Sequence, residues 1–209
     1  MTLKLSCFKN RIVDENYPKI MGELNSFFGI NWTKNQPKII IVENRKAFNE
    51  LLGEKTEKWL VGYANNQLVY ILNGKKFKTE ADREYSDEKY KALIKHELAH
   101  LFFNIVSPNS KPTWLKEGVP IYLSGQDKLR KKIPSSFKNF LKFFDKNVIG
   151  KESVYDESGL VIKILIKDFG KEKLLQLIKS KDDFKKSFKK IYGFDLNYVN
   201  LNKIYSAKK

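Results

Sequence analysis

The chain has 209 residues, of which 42% are hydrophobic and 13% aromatic, and this composition excludes an intrinsically disordered or low-complexity protein. Its single cysteine, Cys7, excludes an intrachain disulfide and a thiolate zinc cluster. The formal net charge is +16, but only four of the 40 basic residues are Arg. Because Arg is the side chain that makes bidentate contacts with phosphates and bases, we expect no specific nucleic-acid partner.

The beginning of the chain lacks the pattern of a targeting segment. Lys4, Lys9 and Arg11 interrupt the apolar residues of Met1–Val13, where a signal peptide would have a continuous apolar region. No run of 18 apolar residues occurs, so we expect no membrane span. We therefore expect a cytoplasmic protein, or a secreted or cell-surface one if the chain is a processed form.

The first part of the chain combines helical and strand patterns. Apolar residues with helical spacing from Tyr17 to Phe28 predict a helix that ends at Gly29. Further patterns predict a strand at Lys38–Val42, a helix from Ala47 to Gly53, and strands at Trp59–Ala64 and Gln67–Leu72, joined by a turn at Asn65-Asn66.

The second part is mainly helical. A broad apolar stripe from Tyr90 to Ile105 predicts a helix with Ser86 as its N-cap. After a loop with two prolines, a helix capped by Thr113 is expected to run towards Gly125. Other helices are predicted around Phe137–Phe144, Leu160–Ile166, Phe184–Tyr192 and Leu196–Tyr205.

This order of elements predicts an α+β fold, because strands come first and helices follow. We expect a small N-terminal mixed sheet with an edge strand and a mainly helical C-terminal part. The chain has no internal repeat or long linker, so we expect one domain over residues 1–209. Within it, an α/β part covers about residues 1–106 and a helical part about residues 107–209.

Both histidines of the chain lie in one five-residue segment, His96-Glu97-Leu98-Ala99-His100. Residues four apart share one face of a helix, so two imidazoles spaced in this way can bind one zinc ion. Glu97 lies about 100° round the helix and is better placed to reach a water on the metal than to bind the metal itself. Two solvated or core histidines are the alternative, but burying them with a glutamate on so apolar a helix costs several kcal/mol.

A hydrolytic zinc site needs three protein ligands and one open position. The chain has no third histidine, so the third ligand has to be a carboxylate. We expect Glu117, because the proline-containing loop before it can turn its helix back towards His100. Asp127 and Asp145 are the next carboxylates in the chain, and the competing interpretation of Glu117 is an ordinary surface residue.

The segment His96–His100, followed by Trp114-Leu115-Lys116-Glu117-Gly118 and Tyr122-Leu123, resembles the gluzincin branch of the peptidase MA superfamily. The similarity is to small bacterial peptidase-MA-like domains with HExxH and WLxEG motifs, and it covers about Lys38–Tyr205. It implies a zincin active-site helix and one Zn²⁺ per chain, bound by His96, His100 and Glu117. The segment from Gly62 to Leu72 is similar to the edge strand before that helix.

The chain departs from the family pattern at two points. Pro120 stands where a small helix former is more usual, and we expect it to shorten or kink the helix after Glu117. The Gly-Ala-Met-Glu-Asn-like strand that binds the amine in aminopeptidases of this superfamily is absent. We therefore expect endopeptidase rather than aminopeptidase action.

The resemblance implies a metallopeptidase that hydrolyses peptide bonds with zinc-activated water, Glu97 being the general base. A tyrosine hydroxyl is the usual second donor to the oxyanion in this superfamily. Tyr155 is the first candidate, because it begins the segment similar to the tyrosine-bearing helix, and Tyr122 is the second. The competing interpretation is that Tyr155 is a packing residue.

An edge strand beside the active-site helix can bind an extended peptide through main-chain hydrogen bonds. Gln67–Leu72 is the candidate strand, and an ordinary edge strand packed on the core is the alternative. Two other functions compete with a peptidase: a catalytically silent zinc-binding interaction domain and a nucleic-acid-associated protease. Glu97 disfavours the first, because a structural zinc site needs no base, and the scarcity of Arg disfavours the second.

Overall fold

The structure is a computed structural model that describes residues 10–129, 133–143 and 154–207. Several residues considered above lie outside the described ranges: Lys4, Cys7, Lys9, Phe144 and Asp145. Within those ranges, a three-stranded mixed sheet and nine α-helices confirm the predicted α+β class. The chain divides into two compact units, residues 1–101 and 102–209.

The first unit contains the sheet. Its elements are α1 (Arg11–Phe28), β1 (Lys38–Val42), α2 (Arg45–Leu52), β2 (Gly62–Asn65), β3 (Leu68–Leu72), a 3-10 turn (Gly74–Lys76), α3 (Phe77–Glu80) and most of α4 (Asp87–Val106). The predicted ends of α1 and α2 are confirmed. The glycines that follow them, Gly29 and Gly53, have φ of 65° and 74°, a region that favours glycine.

The prediction that Gln67–Leu72 forms an edge strand is wrong. The strand order is β1-β3-β2, so β3 is the central strand, parallel to β1 and antiparallel to β2. Both sides of β3 are therefore paired within the sheet, and a peptide cannot add to it. The edge strand of the hairpin is β2, which begins at Gly62 rather than at Trp59.

Helix α4 is anchored to the first unit by contacts with a strand and with α1. Ser86 caps it as predicted, its hydroxyl accepting a hydrogen bond from the Lys89 N–H (3.1 Å). The buried Tyr90 hydroxyl donates to the carbonyl of Leu72 at the end of β3 (3.1 Å). The Lys95 ammonium lies 2.6 Å from the Glu23 carboxylate on α1, and this contact holds the pKa of Glu23 below its ordinary value.

Arg45, the first residue of α2, ties down the loop that leads into β2. Its guanidinium donates to four main-chain carbonyls, those of Glu57, Lys58, Leu60 and Glu80. It also donates to the Thr56 hydroxyl (2.9 Å). Partial burial lowers the pKa of Arg45, and the nearby carboxylates of Glu80 and Asp82 oppose that shift. One side chain thus fixes the position at which the edge strand begins.

The described residues of the second unit are helical. Its elements are the end of α4, α5 (Thr113–Ser124), a 3-10 turn (Phe140–Phe143), α6 (Val154–Phe169), α7 (Lys171–Lys179), α8 (Phe184–Tyr192) and α9 (Tyr198–Ser206). Thr113 is the first helical residue of α5 rather than its cap. Pro120 does not shorten this helix, which continues to Ser124 and ends at Gly125 as expected.

The segment before the second gap differs from the helix predicted around Phe137–Phe144. The described part contains only the 3-10 turn, and residues 137–139 precede it. The buried carboxylate of Glu157, in the first turn of α6, accepts hydrogen bonds from the N–H groups of Lys138, Asn139 and Phe140 (2.9–3.2 Å). These N–H groups are therefore satisfied by a side chain rather than by continuation of a helix.

Helices α5 and α6 pack closely because two glycines face the opposite helix. A Cβ added to Gly118 would lie 2.8 Å from the main-chain oxygen of Ser158, and one added to Gly159 would lie 2.5 Å from Cγ2 of Ile121.

The described helices include none that is both long and apolar enough to cross a bilayer.

We expect Arg45→Met to lower the free energy of unfolding by about 2–4 kcal/mol, because several acceptors lose a charged donor together. Urea denaturation would measure the change. Arg11→Met is the matched control, since its ion pairs with Glu15 and Asp87 join mostly exposed side chains and such pairs contribute about 0–1 kcal/mol. Equal losses for the two variants would contradict the anchoring role of Arg45.

Candidate metal centre

The two histidines lie on consecutive turns of α4 with their ring nitrogens facing each other. The Nε2 atoms of His96 and His100 are 3.1 Å apart, and the ring planes meet at 82°. His96 is only 8% exposed, and Leu93 and Leu98 on the same helix are also buried. At this distance the pair can share one proton in an N–H···N hydrogen bond, or can direct both lone pairs at one cation.

Glu117 completes a group of three possible metal ligands. One nitrogen from each of His96 and His100 and one carboxylate oxygen of Glu117 all lie within 4.8 Å of one another. Glu117 is on the second turn of α5 and is partly exposed, whereas Trp114 and Leu115, which precede it, are fully buried. The predicted juxtaposition of these three side chains is therefore present.

The group fits a zinc ion in donor type and spacing. Two nitrogens that lie about 2.0–2.1 Å from one tetrahedral zinc are about 3.3–3.4 Å apart, close to the observed separation of the histidine nitrogens. Two imidazoles and one carboxylate are also the protein ligands of a common class of hydrolytic zinc site. A metal bound by this set would keep a position open for water or substrate.

The rival carboxylate Asp127 has a different environment. Its Oδ2 atom lies 3.7 Å from the ammonium of Lys163 on α6, and its side chain is 12% exposed. It does not belong to the ligand group found among the described residues. Asp145, the other rival, lies outside those residues.

The loop between α4 and α5 is tied to the connection between α7 and α8. The buried ammonium of Lys111 donates to the carbonyl of Ser180 (2.5 Å), and the Asn109 side chain donates to the carbonyl of Lys181 (2.9 Å). Burial lowers the pKa of Lys111, because it disfavours the charged form. These bonds fix the start of α5, and Trp114 then packs against Phe140, with ring centroids 5.3 Å apart.

Glu97 lies against β2, one of the two edge strands of the sheet. Its side chain is 7% exposed. A Cβ added to Gly62 of β2 would lie 2.5 Å from its Oε1 atom and 2.8 Å from its Cγ and Cδ atoms. The carboxylate of the expected general base is therefore next to one of the two strands, β1 and β2, that have an unpaired edge within the described part of the sheet.

The two candidate tyrosines are on the paired helices of the second unit. Tyr155 is the second residue of α6, one turn before Ser158, whose carbonyl oxygen faces Gly118 next to Glu117. Tyr122 lies on α5, five residues after Glu117. Both side chains are partly exposed, and the role of either in stabilising an oxyanion stays a prediction.

Sequence reasoning did not identify Gly62 and Gly118 as positions where a side chain would be obstructed. A glycine inside a strand can indicate close approach of another group, and Gly62 has that pattern. Gly118 belongs to the motif that suggested the family, but the contact that requires it comes from α6, 40 residues later in the chain.

Comparison of the chain with protein-family models, with curated proteins and with solved structures finds no match.

We expect one zinc per chain, measured by elemental analysis after metal loading and dialysis. Glu117→Gln should lower zinc affinity by at least about 100-fold, since even outer-shell changes at zinc sites cost about 10–100-fold. Asp127→Asn is the matched control and should retain full zinc occupancy. Full occupancy in Glu117→Gln, or zinc loss in Asp127→Asn, would show that another carboxylate is the third ligand.

Proposed function

We propose that the chain is a zinc-dependent peptidase of the gluzincin type. The main support is that a group of two histidines and a glutamate suited to zinc adjoins a buried glutamate that reaches the edge of a sheet. A structural zinc site needs neither an open coordination position nor a neighbouring carboxylate. The sequence resemblance to peptidase-MA-like domains supports the same function.

In this proposal His96, His100 and Glu117 hold the metal. When bound, zinc polarises the carbonyl of the scissile bond and lowers the pKa of water. Glu97 is the general base, which takes a proton from the attacking water and gives it to the leaving amine nitrogen. Tyr155, with Tyr122 as the alternative, donates a hydrogen bond to the developing oxyanion.

The substrate is a peptide or protein segment bound in an extended conformation along β2. This strand replaces Gln67–Leu72 as the proposed binding strand, because β3 is paired on both sides. Gly62 and Ala64 alternate with Tyr63 and Asn65 along β2, so the face of β2 that meets Glu97 carries only small side chains. A peptide paired with β2 would pass close to the Glu97 carboxylate.

We expect Glu97→Gln to retain one zinc per chain but to lower kcat/KM by about 10²–10⁴-fold, because the amide cannot accept the water proton. Cleavage of a quenched peptide library with zinc analysis on the same samples would test this. Glu88→Gln is a suitable control, since Glu88 is an exposed glutamate on the same helix. Near-normal turnover by Glu97→Gln would exclude Glu97 as the base.

We also expect internal cuts in an unbiased peptide mixture, several residues from either end, when products are analysed by mass spectrometry. The reason is that an edge strand binds main chain on both sides of the reacting bond. A chelator should abolish the cuts, and added zinc should restore them. Release of single N-terminal residues would contradict endopeptidase action, and zinc binding without any cleavage would favour an interaction domain.

A further inference from the structure

The contact between Gly62 and Glu97 leaves no room for a side chain on the edge strand at this point. An added Cβ would meet three atoms of one side chain, Cγ, Cδ and Oε1 of Glu97, all at 2.8 Å or less. The backbone itself does not require glycine there, because Gly62 is not among the residues with positive φ. What Gly62 supplies is space, and the Glu97 side chain occupies it.

We propose that Gly62 is a positioning residue for the general base: the bare main chain of β2 sets where the Glu97 carboxylate lies. This inference rests on the proposed peptidase function for its catalytic consequence, but the contact itself can be tested independently. Neither metal binding nor main-chain pairing with a substrate would require a glycine at position 62.

Neither β2 nor α4 can easily move away from this contact, because each is hydrogen-bonded to β3. Gly62 pairs with Ile71 in the sheet, and the carbonyl of the preceding residue, Val61, accepts a hydrogen bond from the Leu72 N–H (2.9 Å). On the other side, α4 is held to the same hairpin by the bond from Tyr90 to Leu72.

The Glu97 carboxylate is at the end of a side chain with rotatable bonds, so it is the part that can give way. Restoring an ordinary contact distance of about 3.5 Å would move it by about 1 Å. Misplacement of a reacting group by about 1 Å can lower the rate by about 100-fold. A methyl group at position 62 should therefore impair catalysis without touching the metal ligands.

The test compares Gly62→Ala with Gly22→Ala in a peptide-cleavage assay. Gly22 is an exposed helical glycine whose added Cβ would meet no atom within 4 Å, so it controls for the substitution itself. We expect Gly62→Ala to lower kcat by about 100-fold while KM stays within about 3-fold, because the main chain of β2 is retained. Zinc content should remain one per chain, and Gly22→Ala should match the native protein.

A double-mutant cycle shows whether the loss passes through Glu97. In Glu97→Ala the three atoms that meet position 62 are removed, so adding Gly62→Ala should change the residual kcat by less than about 3-fold further. A full second loss in the Glu97→Ala background would overturn the proposal, as would native-like kcat or loss of zinc in Gly62→Ala.

Thermal unfolding of the zinc-saturated full chain tests the contact without any cleavage assay. Gly62→Ala should lower Tm by about 2–4 °C in the native background but should not lower it in Glu97→Ala, where the obstructing atoms are removed. Equal shifts in the two backgrounds would overturn the positioning role. If the native chain cleaved no peptide, the peptidase function would fail, whereas this cycle would still decide the contact between Gly62 and Glu97.

Discussion

Burial of polar side chains on an apolar helix is the constraint on which the rest of the site depends. His96 and Glu97 are both under 10% exposed on α4, and Leu98, Ala99 and Phe102 around them are fully buried. Removing such groups from water costs several kcal/mol unless they find partners. The contact between the two histidine nitrogens offsets part of that cost. A cation held by the same nitrogens and by Glu117 would offset more of it and would account for the carboxylate in the group.

Two glycines let other groups come close to the main chain because they have no side chain. Gly62 lets the Glu97 carboxylate approach strand β2. Gly118, the residue after Glu117, lets the main chain of α6 approach α5. The two contacts are not alike, because Ser158 presents a main-chain oxygen that cannot turn away, whereas Glu97 presents the end of a flexible side chain. A change at Gly118 therefore acts on packing, while a change at Gly62 acts on the position of one functional group.

Two basic side chains, Arg45 and Lys111, hold the loops that precede β2 and α5. Arg45 gathers the carbonyls of the loop before β2, so the edge strand starts at a defined place. Lys111 reaches the carbonyl of Ser180, so the loop before α5 is tied to a connection 69 residues away in sequence. Both residues are cations whose long side chains donate hydrogen bonds to main-chain oxygens.

Features that depend on neighbouring residues follow directly from the amino-acid sequence. The ends of α1, α2 and α5 at glycines, the capping of α4 by Ser86, and the i, i+4 spacing of His96 and His100 are all set within a turn or two of helix. Three features could be seen only in the folded chain: β3 is the central strand, Glu117 rather than Asp127 joins the histidines, and Glu157 accepts hydrogen bonds from residues 138–140. Each of those outcomes depends on a partner far away in the chain, and hydrophobic periodicity and capping patterns carry no information about such partners.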